Sequence, residues 1–382
     1  MRKALYWVLI GIFALIFLIS SFIVVDYFID ADDSQDQWAN ISNQFDDTQP
    51  TTSAAGTTTG ANNATNNGAN NSTTGTTGTN GATVPATQPT VPPTTVPPTT
   101  LPEATDPAHV HTYSENVVAP TCTVGGYTAY VCGCGVFYRE NEVGPNGHSY
   151  GTWQYGKYAD DDYERPRTRE CVVCKATQTQ KVLSRFTWSL KNNEDVVGYI
   201  RVVNDPDKDP DDKKYYLINY PILHRPTERD YYLYRNFYGQ EDKHGAIYLR
   251  ESCNMFEPTD VLTIYGHNMS DGSMFAGLHK YLTKSYFNSH QYITVWDLYE
   301  EHTYQVVCIF RTSGTYGVGF PFHLFDNFAD EAEYLEFING ARDLAIYDTG
   351  IETQYGDQFI CLCTCEYTIN NGRLGLLAKR LS

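Results

Sequence analysis

The sequence predicts a mainly β protein whose second half closes, or nearly closes, into a barrel with only a few helices. Tyrosine is abundant, 30 of 382 residues, and concentrated in that half, where aromatic side chains suit a pleated, half-buried surface. Short β-prone runs follow one another at 194–200, 215–219, 245–249, 261–265, 292–296, 304–310, 358–363 and 374–378. Turn residues separate them, such as Asn268 to Gly272 and Asn370-Asn371-Gly372. Many short strands at this spacing indicate closure, which removes sheet edges. Helical pattern is sparse. It is confined to a helix end at 188–193, to 273–281, and to 329–344, where Ala332, Leu335, Phe337, Ile338, Ala341 and Leu344 make an apolar face.

The N-terminus reads Met1-Arg2-Lys3, then an uncharged apolar run from Ala4 to Val25, closed by Asp26. About 20 such residues cross a ~30 Å hydrocarbon layer. A cleavable signal would have a shorter core, roughly 7–15 residues, and a small-x-small site. Ile23-Val24-Val25-Asp26-Tyr27-Phe28 offers no such site. Residues 1–30 are therefore expected to be a retained transmembrane anchor, its basic end cytoplasmic and everything after it outside the cell membrane. Residues 31–106 are rich in Thr, Asn and Gly and then in Pro, with Val-Pro-Pro-Thr-Thr repeated at 91–95 and 96–100. A segment that buries so little is expected to be a disordered linker. The formal charge of −18 excludes nucleic acid as a partner, since phosphates demand clustered Lys and Arg.

Residues 107–182 form a small Cys/His-rich module with five of the ten cysteines. His111-Thr112-Tyr113 and His148-Ser149-Tyr150 open two halves of a degenerate repeat, similar to a small cysteine/histidine repeat on surface proteins of Gram-positive gut bacteria. One reading is structural zinc, which takes four N or S ligands. Cys122, Cys132 and Cys134 with His111 would make one site, and His148, Asp161, Cys171 and Cys174 a second. The other reading is disulfides, which an extracellular position permits, although five thiols leave one over. Both stand at this point, and in either case the module is a spacer or a binding element.

The chemistry is expected in 183–382. Cys361, Cys363 and Cys365 alternate along an apolar strand and share a face. Arg373 follows after a polar loop, so a hairpin returns it beside Cys365. A guanidinium offers two donors to a developing oxyanion and favours a thiolate. His267 stands in Gly266-His267-Asn268, directly after the strand at 261–265, and is the best-placed proton donor for a leaving amine. Taken singly, each has a plain structural reading: a buried thiol, a hydrogen-bonded histidine, a solvated arginine.

Taken together they resemble a family. Leu362-Cys363-Thr364-Cys365 with Arg373 resembles the sortase signature, and Tyr265-Gly266-His267-Asn268-Met269-x-Asp271-Gly272-x-Met274-Phe275 is similar to the histidine motif of class B sortases. Asp195-Val196-Val197-Gly198-Tyr199-Ile200, Tyr220-Pro221-Ile222, Asp230-Tyr231-Tyr232-Leu233 and Gly245-Ala246-Ile247-Tyr248-Leu249 resemble further blocks in the same order. The resemblance implies a closed eight-stranded sortase-like β-barrel, with the helix at 329–344 in the long loop before the cysteine strand. It also implies a cysteine transpeptidase needing no cofactor, with Cys365, His267 and Arg373 catalytic. Thr364, Cys363, Glu366 and Asn268 are the expected substrate contacts. Implied partners are surface proteins with a C-terminal sorting signal, cleaved after Thr, and an amine acceptor on peptidoglycan. A pilin-polymerising enzyme and a non-catalytic binding protein on a degenerate barrel are the alternatives. The sequence departs from the family at Cys363, where class B members more often have Ser, and at Cys361, where Thr is usual.

Overall fold

The computed structural model describes residues 16–17, 34–45, 109–156, 165–209, 212 and 215–382. Most of the expected anchor, residues 46–106 of the expected linker, and Asp161 lie outside these residues. Among the described residues no helix is long and apolar enough to cross a membrane. The chain divides into two compact units, the smaller drawn from 51–151 and 170–176, the larger from 1–50, 152–169 and 177–382.

The smaller unit is an antiparallel meander of β1 (Tyr113–Val118), β2 (Gly126–Cys132) and β3 (Phe137–Val143). It has almost no apolar core. Cys122, Ala129, Cys132 and Cys171 are buried, whereas Val117, Val124, Val131, Phe137, Tyr138 and Val143 are exposed. A three-stranded sheet with so little burial needs another source of cohesion.

In the larger unit residues 34–45 are helical (α1), which corrects the expectation of linker from residue 31 onward. Trp38, Ile41 and Phe45 fall at i, i+3 and i+7 and are buried, the spacing of an amphipathic helix face. Phe45 stacks on Tyr199 with centroids 3.5 Å apart, and Trp38 meets Tyr220 edge-on at 5.5 Å. A short three-stranded sheet follows: β4 (Gln154–Tyr155), β5 (Arg167–Glu170) and β6 (Thr177–Gln180). It repeats the order of β1–β3, so the degenerate sequence repeat is also structural. Helix α2 (Thr187–Asn192) then leads into the barrel.

The barrel comprises β7 (Val196–Val203), β8 (Tyr216–Leu223), β9 (Tyr248–Leu249), β10 (Val261–Tyr265), β11 (Tyr292–Asp297), β12 (Glu301–Ser313), β13 (Phe359–Glu366) and β14 (Gly372–Arg380). They close in the order β10-β13-β14-β12-β11-β7-β8-β9, which is the expected closed eight-stranded barrel. β9 is shorter than its sequence run because the chain turns at Gly245, which has φ +59 and packs on the Tyr232 and Leu233 carbonyls. The helix expected at 273–281 is a 3-10 helix, Ala276–Leu282, followed by α3 (Lys284–Ser289). Gly277, pressed on Leu217, lowers the helical propensity there.

Helix α4 (Glu331–Asp343) lies where the sequence pattern predicts, but Ala332, Leu335 and Leu344 of the expected apolar face are exposed. The Asp330 carboxylate accepts from the Glu333 amide at 3.0 Å and the Glu333 carboxylate from the Ala329 amide at 2.7 Å, a reciprocal cap. α4 buries Tyr334, Phe337, Ile338 and Ala341 in one cluster with Phe359, Cys361 and Cys363 of β13. The alternate residues Ile360 and Leu362 enter the main core instead. Strand β13 is thus packed on both faces, and its end is fixed.

Candidate active site

Three elements bring Cys365, His267 and Arg373 to one cleft of about 230 Å³. Cys365 and Arg373 are opposed residues on the β13–β14 ladder. β10 runs parallel to β13 with Tyr265 beside Cys363, and the Gly266 amide extends the ladder by donating to the Cys363 carbonyl at 3.1 Å. His267 is the next residue. Gly266 is required here because a β-carbon would strike the side chains of Ile247 and Phe275.

The loop bearing His267 folds back on itself. The Phe275 amide donates to the His267 carbonyl at 2.9 Å. The Asp271 carboxylate accepts from the Ser273 amide at 2.9 Å and the Ser273 hydroxyl at 2.6 Å. His244, buried, bridges Asp271 at 2.9 Å and Asp242 at 3.1 Å. Burial alone would lower its pKa, but the hydrogen bonds it donates to both carboxylates and their charge raise it. His267 Nε2 lies 2.6 Å from the Leu233 carbonyl. A carbonyl can only accept, so Nε2 carries a proton. The ring also lies beside Tyr234, centroids 5.5 Å apart.

Arg373 donates from Nη1 to the Gly372 carbonyl at 2.9 Å and to the Asn371 side-chain oxygen at 3.1 Å. Gly314 backs it: a β-carbon there would come within 3.1 Å of Cζ. Asn268 donates from Nδ2 to the Cys365 carbonyl at 3.1 Å, so this expected substrate contact instead holds the end of the cysteine strand. Cys363 lines the cleft but is 1% exposed, and burial pushes its thiol up to about 12. Cys361 is pushed well up for the same reason. Cys365 alone of the three is partly exposed. Thr364 also lines the cleft, and its buried hydroxyl finds no partner among the described residues.

Glu366 differs from expectation. One step beyond Cys365, alternation turns it to the other face of the strand, where it is 4% exposed and accepts from Arg311 Nε at 3.0 Å. It is not among the residues that line the cleft. Burial would raise its pKa, but the Thr368 amide and Arg311 hold it below the ordinary range.

No family model matches the chain. Sortase B of Listeria monocytogenes is 27% identical over 192 residues, 50% of this chain and 71% of that protein. Sortase B of Staphylococcus aureus is 22% identical over 228 residues, 58% of this chain and 86% of that protein. Among solved structures, sortase B from Bacillus anthracis is 28% identical with a TM-score of 0.44, covering 53% of this chain and 86% of that one. A Staphylococcus aureus sortase B–substrate complex is 22% identical with a TM-score of 0.45 at the same coverages. The chain is a relative of the class B sortases.

The cleft of this sortase relative contains residues that sequence reasoning did not single out. Arg229, Asp230 and His323 line it. Asp230, in a left-handed conformation at φ +52, accepts from the Tyr248 hydroxyl at 3.1 Å. Its location in a block resembling the family, Asp230-Tyr231-Tyr232-Leu233, was the available signal. His244 carried none, because its role as a bridge depends on Asp271, which is remote in sequence, as well as on neighbouring Asp242.

The metal candidates are regrouped by the structure. His111, Cys132 and Cys134 come together as expected, but their fourth member is His109. Cys122 joins His148, Cys171 and Cys174, and Asp161 lies outside the described residues. The reason is topological: Cys122 lies in the β1–β2 loop, which leads away from the β2–β3 turn that carries Cys132 and Cys134.

Proposed function

We propose that the chain is a membrane-anchored cysteine transpeptidase that cleaves a C-terminal sorting motif after Thr and transfers the acyl group to an amine. The convergence of a partly exposed thiol, an imidazole and a guanidinium from separate elements on one cleft carries this reading. The Cys365 thiolate attacks the Thr carbonyl, and the oxygen takes the displaced electron pair. Arg373 stabilises that oxyanion with paired donors. His267, protonated on both nitrogens and steadied by the Leu233 carbonyl, gives a proton to the departing amine as the C–N bond breaks. The thioester left on Cys365 is then attacked by an incoming amine of peptidoglycan or of a surface protein, which gives a proton back to His267 and expels the Cys365 thiolate as the new amide forms. The apolar run from Ala4 to Val25 would hold the enzyme at the cell membrane with the cleft outside.

The test is mass spectrometry of the enzyme incubated with peptide libraries ending in candidate sorting signals. A thioester on Cys365, absent in Cys365→Ala, is the expected result. Modification of Cys363 in its place, or none with any peptide, sinks the reading.

A further inference from the structure

The structure assigns the smaller unit two zinc sites, one of Cys132, Cys134, His109 and His111, the other of Cys122, Cys171, Cys174 and His148. In each set the four ligand atoms lie within 4.8 Å of one another. His109 Nε2 is 3.2 Å from the Cys132 sulfur and His111 Nδ1 is 3.3 Å from that of Cys134. In the second set the Cys122 and Cys171 sulfurs are 3.9 Å apart, and His148 Nδ1 is 3.2 Å from the Cys174 sulfur. A zinc tetrahedron with bonds of about 2.3 Å to S and 2.0–2.1 Å to N has edges of about 3.8 Å for S–S and about 3.6 Å for S–N. The S–S separation of 3.9 Å matches its edge, and the S–N separations of 3.2–3.3 Å are slightly shorter than theirs.

Ligand accounting favours metal over disulfides. The unit's five cysteines and three histidines make two complete four-ligand sets, with no thiol left over. Disulfides would strand one thiol and leave three histidines aimed at sulfur without a purpose. Cys132 and Cys134 are two residues apart, a separation that strains a bridge.

The repeat explains the exchange of Cys122. Each half supplies a His before its first strand and a Cys pair at its second turn: His111 with Cys132 and Cys134, His148 with Cys171 and Cys174. The fourth ligand of the second set, Cys122, comes from the β1–β2 loop of the preceding half. The first half has none before it, and His109 takes that place. Zinc therefore joins consecutive repeats, and supplies the cohesion that this nearly coreless unit lacks.

The full chain, isolated without reductant, should hold two zinc ions by elemental analysis and show ten reactive thiols after denaturation with a chelator. One zinc or none, or fewer thiols, overturns the assignment. Two double variants remove the same number of cysteines and test the pairing. Cys122→Ser with Cys171→Ser should retain one zinc, whereas Cys122→Ser with Cys132→Ser should retain none. The reverse pattern overturns the cross-repeat grouping. Cobalt(II) added to the chelator-stripped chain gives a second readout, intense sulfur-to-metal absorption from both sites. Its absence, with all thiols free, also counts against the proposal.

Discussion

Arg373 stands opposite Cys365 on the ladder, yet its guanidinium is aimed by neighbours: acceptors on Asn371 and Gly372, and the bare backbone of Gly314 behind it. Arg373→Lys keeps the charge but loses the fork, and thioester formation should fall by roughly 10²-fold, the usual cost of an oxyanion donor. Gly314→Ala keeps all three catalytic side chains but crowds the Arg373 guanidinium at 3.1 Å and the Asn371 carbonyl at 3.2 Å. It should slow the same step roughly tenfold, within the cost of a small misplacement, with an unchanged melting temperature. Burst kinetics with a peptide substrate checks both. His244 gives a pH signature. Its pKa is raised in the fold, so its contribution is complete below about 6.5 and fades as pH rises through the folded value. Those of Asp242 and Asp271 are lowered, so their contribution is complete above about 3.9 and fades on acidification. Denaturant midpoints of His244→Gln should therefore fall furthest below the parent near pH 5 and least near pH 9. An equal deficit at both would refute the charged bridge. The hairpin sets Arg373 opposite Cys365 from local sequence, whereas His267 was singled out with them through the resemblance of its motif, since β10 and β13 are distant segments that pair only in the fold. The His244 bridge needs Asp271 and the burial of Glu366 needs Arg311, partners far along the chain that no local pattern reveals.

The helix at 34–45 shows the same limit for an element. Its apolar residues Trp38, Ile41 and Phe45 have helical spacing, but the polar, low-complexity composition that follows outweighed three side chains. Their burial is evident only from the surface that receives them. Phe45 is enclosed by Tyr199, Phe186 and Trp296, with Arg185 and Arg201 over its ring at 5.0 and 5.4 Å. Phe45→Ala should cost about 3–5 kcal/mol, the range for a fully buried aromatic, read as a shift in the urea midpoint. A truncation beginning at residue 109 would remove the whole helix and should be less stable than a chain that retains 34–45. The barrel itself was legible strand by strand, since turn residues bound each run. β9 was overestimated because the tight approach of Gly245 to two carbonyls is a tertiary constraint.

At the scale of the molecule, two forms of cohesion coexist. The larger unit is held by an extensive apolar core, in which Tyr199, Phe237, Phe275 and Ile309 are fully buried. The smaller unit has few buried apolar side chains and a concentration of sulfur and imidazole. The first should resist chelators and yield to denaturants, the second the reverse. Limited proteolysis of the full chain in excess chelator should therefore cut within residues 109–151 while leaving 215–382 intact. Thioester formation on Cys365 should continue at its original rate, because every group assigned to it lies in the larger unit. Phe45→Ala should show the opposite pattern, with full zinc content and a lowered barrel transition. Loss of thioester formation on chelation alone would mean that the metal-binding repeats also serve the chemistry.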